Sequence, residues 1–260
     1  MTSFAVIWGV MFVWFSNVIN ENNKGMYSDQ LNQSFVWGMA WFIFSEVMFF
    51  FAFFLALGYV RMFSVPWLGG EGEKAITNIL WPAFEATWPV MVTPDNETFP
   101  GAEKNMNMPG ITKLHTWLPF WNTLCLVTSS GTIALAVAAL KKGRRAAFKG
   151  WMVATISLGF IFVFLQGLEY YEAYAHMGLT LGAGIYGTTF FLLTGFHGFH
   201  VCLGAIILTI MTIRGFGGAF SEHDHFGLAA GSWYWHFVDV VWILLVLAVS
   251  YTHLRAHETN

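Results

Sequence analysis

Six stretches of this chain run long and almost without charge: Phe4–Ile19, Phe35–Gly58, Trp117–Leu140, Trp151–Leu168, Ile185–Ile213 and Trp233–Val249. About 20 apolar residues are needed to cross the ~30 Å hydrocarbon core of a bilayer as a helix. Six runs near that length predict an all-α fold, a polytopic membrane helix bundle with six visible spans. The first and last runs are the shortest, and both lie at the chain ends. Composition supports the membrane class. Charged residues make up 10% of the 260, against roughly 25% in soluble domains. The 13 Trp and 27 Phe suit lipid-facing surfaces and interfacial belts.

Several functional classes drop out early. A net charge of −3 is too mild for a nucleic-acid partner. Cys125 and Cys202 stand far apart in apolar runs and form no CxxC, so they are expected to be buried free thiols. The first apolar run lacks the basic leader and small-residue cleavage site of a secretory signal. No P-loop, GxGxxG or GxSxG motif occurs.

Orientation follows from the basic residues. Lys141, Lys142, Arg144, Arg145 and Lys149 are five of the chain's 12 Lys and Arg within nine positions, which predicts a cytoplasmic loop. Alternation then puts the 20–34 and 214–232 loops inside, and the 59–116 and 173–184 segments outside. The 59–116 segment holds six of the seven prolines and reads as an irregular external cap. Both termini would lie outside, an arrangement that a missing preceding helix would relieve.

Ionisable residues inside spans carry the functional signal, since each is costly unless paired or hydrated. Glu46 stands in the middle of FVWGMAWFIFSEVMFFFAFFLA. The nearest charge in sequence is Arg61, about four helical turns away, so a partner must come from another helix. The alternatives are a hydrogen-bonded carboxylic acid, proton handling, a lipid headgroup contact or helix–helix pairing. TGFHGFHV places His197 and His200 at i and i+3 on one helix face. Metal ligation would need further ligands, which no other span offers, since His176, His223 and His225 are expected in loops. Gly195 and Gly198 between the histidines suggest a close helix approach. Glu46 is the natural partner for one of the two histidines.

GLEYYEAYAH, residues 167–176, reads as an interfacial belt of tyrosines with Glu169 and Glu172 snorkelled or solvated. His236 and Asp239 form a second i, i+3 pair that can bond within its helix or to a neighbour. Asp224 stands between His223 and His225 in the preceding loop.

FIFSEVMFFFAFF, EYYEAY, GIYGTTFFLLTGFHGFHVCLGAI and HDHFGLAAGSWYWHFVDVVW resemble, in order, the signature segments of subunit III of haem–copper cytochrome c oxidases. The resemblance runs from about residue 8 to residue 247, and the external RMFSVPWLGGEGEKAITNILWPAFEATWP resembles bacterial aa3-type members. It implies seven helices, of which the first is absent here. Phe4–Ile19 would then match the end of the second helix, with Met1 an internal methionine.

The resemblance further implies no redox centre on this chain. Haem a and copper would sit in partner subunits, with subunit I and subunit II as neighbours and phospholipids bound in a cleft. The complex would pass electrons from cytochrome c to oxygen and pump protons. This chain would support assembly, lipid retention and proton uptake from a bacterial inner membrane. Glu46, His197, His200, His236 and Asp239 match the family's buried polar positions.

Accessory subunits of quinol oxidases or nitric-oxide reductases share the architecture, with weaker versions of WYWHFVDVVW. A stand-alone proton-coupled transporter would instead show an internal repeat or broken midplane helices, and neither is visible. The expected domain is 1–248. VSYTHLRAHET, residues 249–259, matches one reading frame of a common transposase-based sequencing adapter, so 249–260 are expected to be an artefactual tail.

Overall fold

The computed structural model describes residues 2–106, 108–222 and 225–250. His223, Asp224 and residues 251–260 lie outside the described residues, while residues 249 and 250 of the expected 249–260 tail belong to the last helix. All regular structure among the described residues is helical: α1 (Thr2–Asn23), α2 (Asp29–Tyr59), α3 (Val65–Leu68), α4 (Leu118–Lys141), α5 (Arg145–His176), α6 (Gly184–Phe216) and α7 (Phe226–Ser250). A π turn, Val60–Ser64, joins α2 to α3, and two 3₁₀ turns, Ala75–Ile79 and Ile111–Thr116, lie in the segment before α4.

Among the described residues, five helical stretches are long and apolar enough to cross a membrane: Asp29–Leu68, Leu118–Lys141, Arg145–His176, Gly184–Phe216 and Phe226–Ala248. The expected first span is helical as α1 but is not among the five. The helices also outrun the apolar stretches. His176, expected in a loop, is the last residue of α5, because no breaker follows Leu168 until Gly178, whose φ of +57° suits glycine. The irregular cap likewise begins after Leu68 rather than after Gly58. Pro66 falls in the first turn of α3, directly after the π turn.

The chain forms two compact units, Met1–Ser45 and Glu46–Asn260. In the first, α1 turns back into α2 at Gly25, with φ +66°. Tyr27 donates to the Val18 carbonyl at 2.9 Å and packs on Phe35, with ring centroids 5.3 Å apart. Most of its large apolar side chains, Phe12 and Trp41 among them, face outward, as lipid-facing helices do.

In the second unit α4, α5, α6 and α7 pack each against the next, and α7 closes back on α4. Short reversals make neighbours antiparallel. α4 ends at Gly143, φ +68°, with Arg144 N–H returning to the Ala139 carbonyl at 2.9 Å. α6 ends the same way at Gly218, φ +83°, with Ala219 N–H on Arg214 O at 3.0 Å.

Lipid tails are as apolar as leucine, so packing and interhelical hydrogen bonds hold such helices together. Trp235 is the centre of that packing. It is fully buried, its ring lies against Gly159 of α5 and Gly204 of α6, and its indole N–H donates to Ser129 Oγ of α4 at 2.8 Å. Trp242 repeats the tie from α7 to α4 about two turns further along the same face, donating to Thr123 Oγ1 at 2.9 Å. Thr132 meets Thr155 between α4 and α5 at 2.8 Å, and Tyr170 meets Thr194 between α5 and α6 at 2.7 Å. The close approach expected at Gly195 and Gly198 falls elsewhere. Gly198 has open space where a Cβ would be, and Gly195 faces only the Tyr170 hydroxyl.

The cap folds over the end of this unit remote from the 142–144 turn. Ala102 and Met106 join Ala173, Leu179, Ala183, Tyr186, Phe190 and Phe191 in one buried cluster. Its backbone is pinned as well, since Met106 N–H donates to Tyr186 OH at 3.0 Å and Glu103 N–H to Met177 O at 2.9 Å.

Candidate functional site

α2 and α6 bring Glu46 and His200 together. Glu46 Oε2 lies 2.8 Å from His200 Nε2, with side-chain exposures of 22% and 9%. The other imidazole nitrogen, Nδ1, is 2.6 Å from the Phe196 carbonyl. A carbonyl only accepts, so Nδ1 carries a hydrogen. One proton is therefore shared between Glu46 and Nε2, as acid and imidazole or as carboxylate and imidazolium. The pair sums to zero charge in both forms, which is how a carboxyl persists inside an apolar helix. Aromatic rings enclose it: Phe50 lies 5.0 Å from the imidazole centroid, Phe49 6.1 Å and Tyr234 6.4 Å. The pair can hold one proton and pass it over a single short hydrogen bond, and it pins α2 to α6.

His197 does not join it. Although i and i+3 are neighbours on a helix face, His197 turns to α7, where its Nε2 donates to the Val238 carbonyl at 3.1 Å. It is fully buried between Phe162 and Trp242, with centroids 5.8 and 5.1 Å away, and its Nδ1 has no partner among the described residues. The two histidines thus serve different helices and share no ligand.

His236 and Asp239 meet on α4, through a residue that sequence reasoning did not single out. Ser130 Oγ lies 2.6 Å from His236 Nδ1 and also hydrogen-bonds Asp239 Oδ2. A hydroxyl has one hydrogen, and the carboxylate can only accept, so the chain runs from His236 N–H to Ser130 and from Ser130 to Asp239. The same three residue types make hydrolases, but there the histidine stands between serine and acid. Here the serine does, so the arrangement is an interhelical tie rather than an activated nucleophile.

Glu169 corrects the interfacial-belt reading. Glu172, Tyr171 and Tyr174 are exposed as expected, but Glu169 is 2% exposed and accepts from Asn122 Nδ2 of α4 at 3.1 Å. The available signal was polar residues inside apolar runs: Asn122, Gln166 and the Ser129-Ser130 pair. Arg61 reaches the Ala248 carbonyl at 3.3 Å and lies over Trp88, 5.3 Å from its ring centroid, rather than pairing with Glu46. Cys125 and Cys202 are free thiols, half-buried rather than buried. Among the described residues, no three His, Cys, Asp or Glu side chains converge as a metal site would require.

The family model described as cytochrome c oxidase subunit III matches residues 1–73 and 77–253. The chain is 36% identical to a cytochrome c oxidase subunit 3 of Arabidopsis thaliana over 241 residues, covering 92% of this chain and 77% of that protein. It is 35% identical to the subunit 3 of Gadus morhua, with 92% and 78% covered. Against that of Marchantia polymorpha the figures are 36%, 92% and 77%.

Proposed function

Because this chain belongs to the cytochrome c oxidase subunit III family, and is thereby a membrane-spanning part of a respiratory oxidase complex, we propose that it serves there as a subunit without a redox centre of its own. In this reading haem a and copper are held by subunit I and subunit II. The complex carries electrons from cytochrome c to oxygen and pumps protons, and this chain supports assembly, lipid retention and proton uptake. The membrane is a bacterial inner membrane, a reading that rests on the cap sequence RMFSVPWLGGEGEKAITNILWPAFEATWP. α1 is read as a sixth span.

The observation that carries the proposal is the Glu46–His200 contact at 2.8 Å. A carboxyl in mid-span is retained only at a cost, and joined to an imidazole it supplies both an interhelical tie and a site for one mobile proton. His197, His236 and Asp239 complete the polar set as positioning residues for α6 and α7.

Purification of the tagged chain from its native membrane, with optical spectra and identification of its partners, tests the reading. The expected result is co-purification with haem a, copper and a partner bearing a dicopper, cytochrome c-docking domain. A partner lacking that domain would assign the chain to a quinol oxidase or nitric-oxide reductase instead. Recovery of the chain alone would overturn both.

A further inference from the structure

The cap-side end of the α4–α7 unit holds a second set of polar groups, apart from the Glu46–His200 pair. Glu169 is nine-tenths buried and more, as are Asn122 and Gln166. Asn122 donates an amide hydrogen to Glu169, and its Oδ1 has no partner among the described residues. Gln166, one turn from Glu169 on α5, has neither amide atom paired among them, and the Trp117 indole N–H is in the same position. Glu169 and Trp117 line one recess with room for about one water, together with Thr194, Met106, Trp242 and Leu245. Buried polar atoms without partners are costly, and an unpaired indole N–H in one recess with a buried carboxyl points to a ligand that meets both.

We propose that this recess is an internal water-binding site, in which ordered water bridges Glu169 and the Trp117 N–H. The mixture of groups selects the ligand. Water donates and accepts, and it needs two to four polar partners in a site with room for it. A bare cation would use the oxygens of Glu169 but would be repelled by the indole N–H, which only donates. A lipid tail would satisfy none of them. The roof belongs to the cap: Met106 and Trp117 come from the irregular segment and the turn before α4, and Met106 is held in place through Tyr186. Hydration therefore depends on how the cap seats, and it puts a carboxyl deep in the helix unit in contact with solvent on the cap side. The assignment is independent of the role proposed for Glu46.

Synchrotron hydroxyl-radical footprinting of the intact membrane complex tests it, because radicals formed from bound water oxidise the side chains beside it however buried they are. Trp242 is 2% exposed and lines the recess, while Met152, fully buried on α5 near the basic turn, is the control. Oxidation of Trp242 and Met106 with Met152 untouched is the expected result, and loss of the Trp242 label in Glu169→Leu supports it further. Trp242 as silent as Met152 would overturn it. High-resolution density of the wild-type complex gives the same decision without a variant. Solvent density touching both Glu169 and the Trp117 N–H supports the site. A density held by oxygens alone would mark a cation and overturn the assignment.

Discussion

Placing a methyl group on Gly204 should destabilise the protein only while Trp235 keeps its full ring. An added Cβ would lie 2.9 Å from Trp235 Cε3 and 3.1 Å from Cζ3, with Tyr234 Cε1 at 3.4 Å. Carbon pairs are best separated by ~3.5–4.0 Å, so the ring must retreat. The opposite side is taken by Gly159, where a Cβ would meet Cη2 at 2.8 Å, and the indole is also held by Ser129. Overpacking of this kind costs about 1–3 kcal/mol.

Trp235→Phe by contrast removes the benzo carbons. It loses one interhelical hydrogen bond, about 0.6–1.7 kcal/mol in a membrane protein, and opens a cavity costing about 1 kcal/mol, for a total of about 2 kcal/mol. In the double variant the methyl of Gly204→Ala occupies space that the lost ring has vacated. Its own penalty disappears, leaving a favourable coupling of about 1–3 kcal/mol. Equilibrium unfolding of wild type, both single variants and the double in mixed detergent micelles, followed by near-UV circular dichroism, measures all four corners of the cycle. Additivity within about 0.5 kcal/mol would refute the claim that Gly204 is small because of Trp235.

The remaining predictions follow from single contacts. Glu46→Gln should be nearly neutral for stability, since its amide can donate to His200 Nε2, whereas Glu46→Leu leaves that nitrogen unpaired and costs about 1–2 kcal/mol in the same unfolding assay. Equal losses in both would show that the carboxyl itself, not the hydrogen bond, is what the fold requires. Ser130→Ala removes the hydrogen bond to Asp239 Oδ2, and Oδ1 has no partner among the described residues, so about 2–3 kcal/mol should be lost. Adding Asp239→Leu should recover part of that loss, because no unpaired acceptor remains. Thr132→Val should cost under about 0.6 kcal/mol. Thr132 and Thr155 already have carbonyl acceptors at Ser129 and Trp151, so their mutual contact adds little, and a loss above 1.5 kcal/mol would contradict this reading.

How much of the site was legible depends on what a helix period can encode. Glu46 stood out because a lone carboxyl in a mid-span run demands a partner wherever the helix packs. Ser130 did not, because a serine inside a helix can satisfy its hydroxyl on its own backbone and so demands nothing. His197 and His200 were equal candidates for Glu46, and only the azimuth of α6 separated them: one ring faces α2, while the other reaches the backbone of α7. Glu169 and Glu172 are likewise one turn apart on α5. The first points at Asn122 and is buried, the second is exposed.

From the chain alone came the all-helical membrane class, the apolar stretches that define the spans, the family resemblance and the polar residues that would matter. Those are properties of local composition and of motif order, which need no partner to be expressed. The tertiary structure decided which histidine meets Glu46, which glutamate is buried, and that Gly159 and Gly204 rather than Gly195 and Gly198 admit a close neighbour. Each of those depends on how one helix is rotated against the next. That rotation is set by side-chain packing between residues far apart in sequence, and no period along a single helix records it.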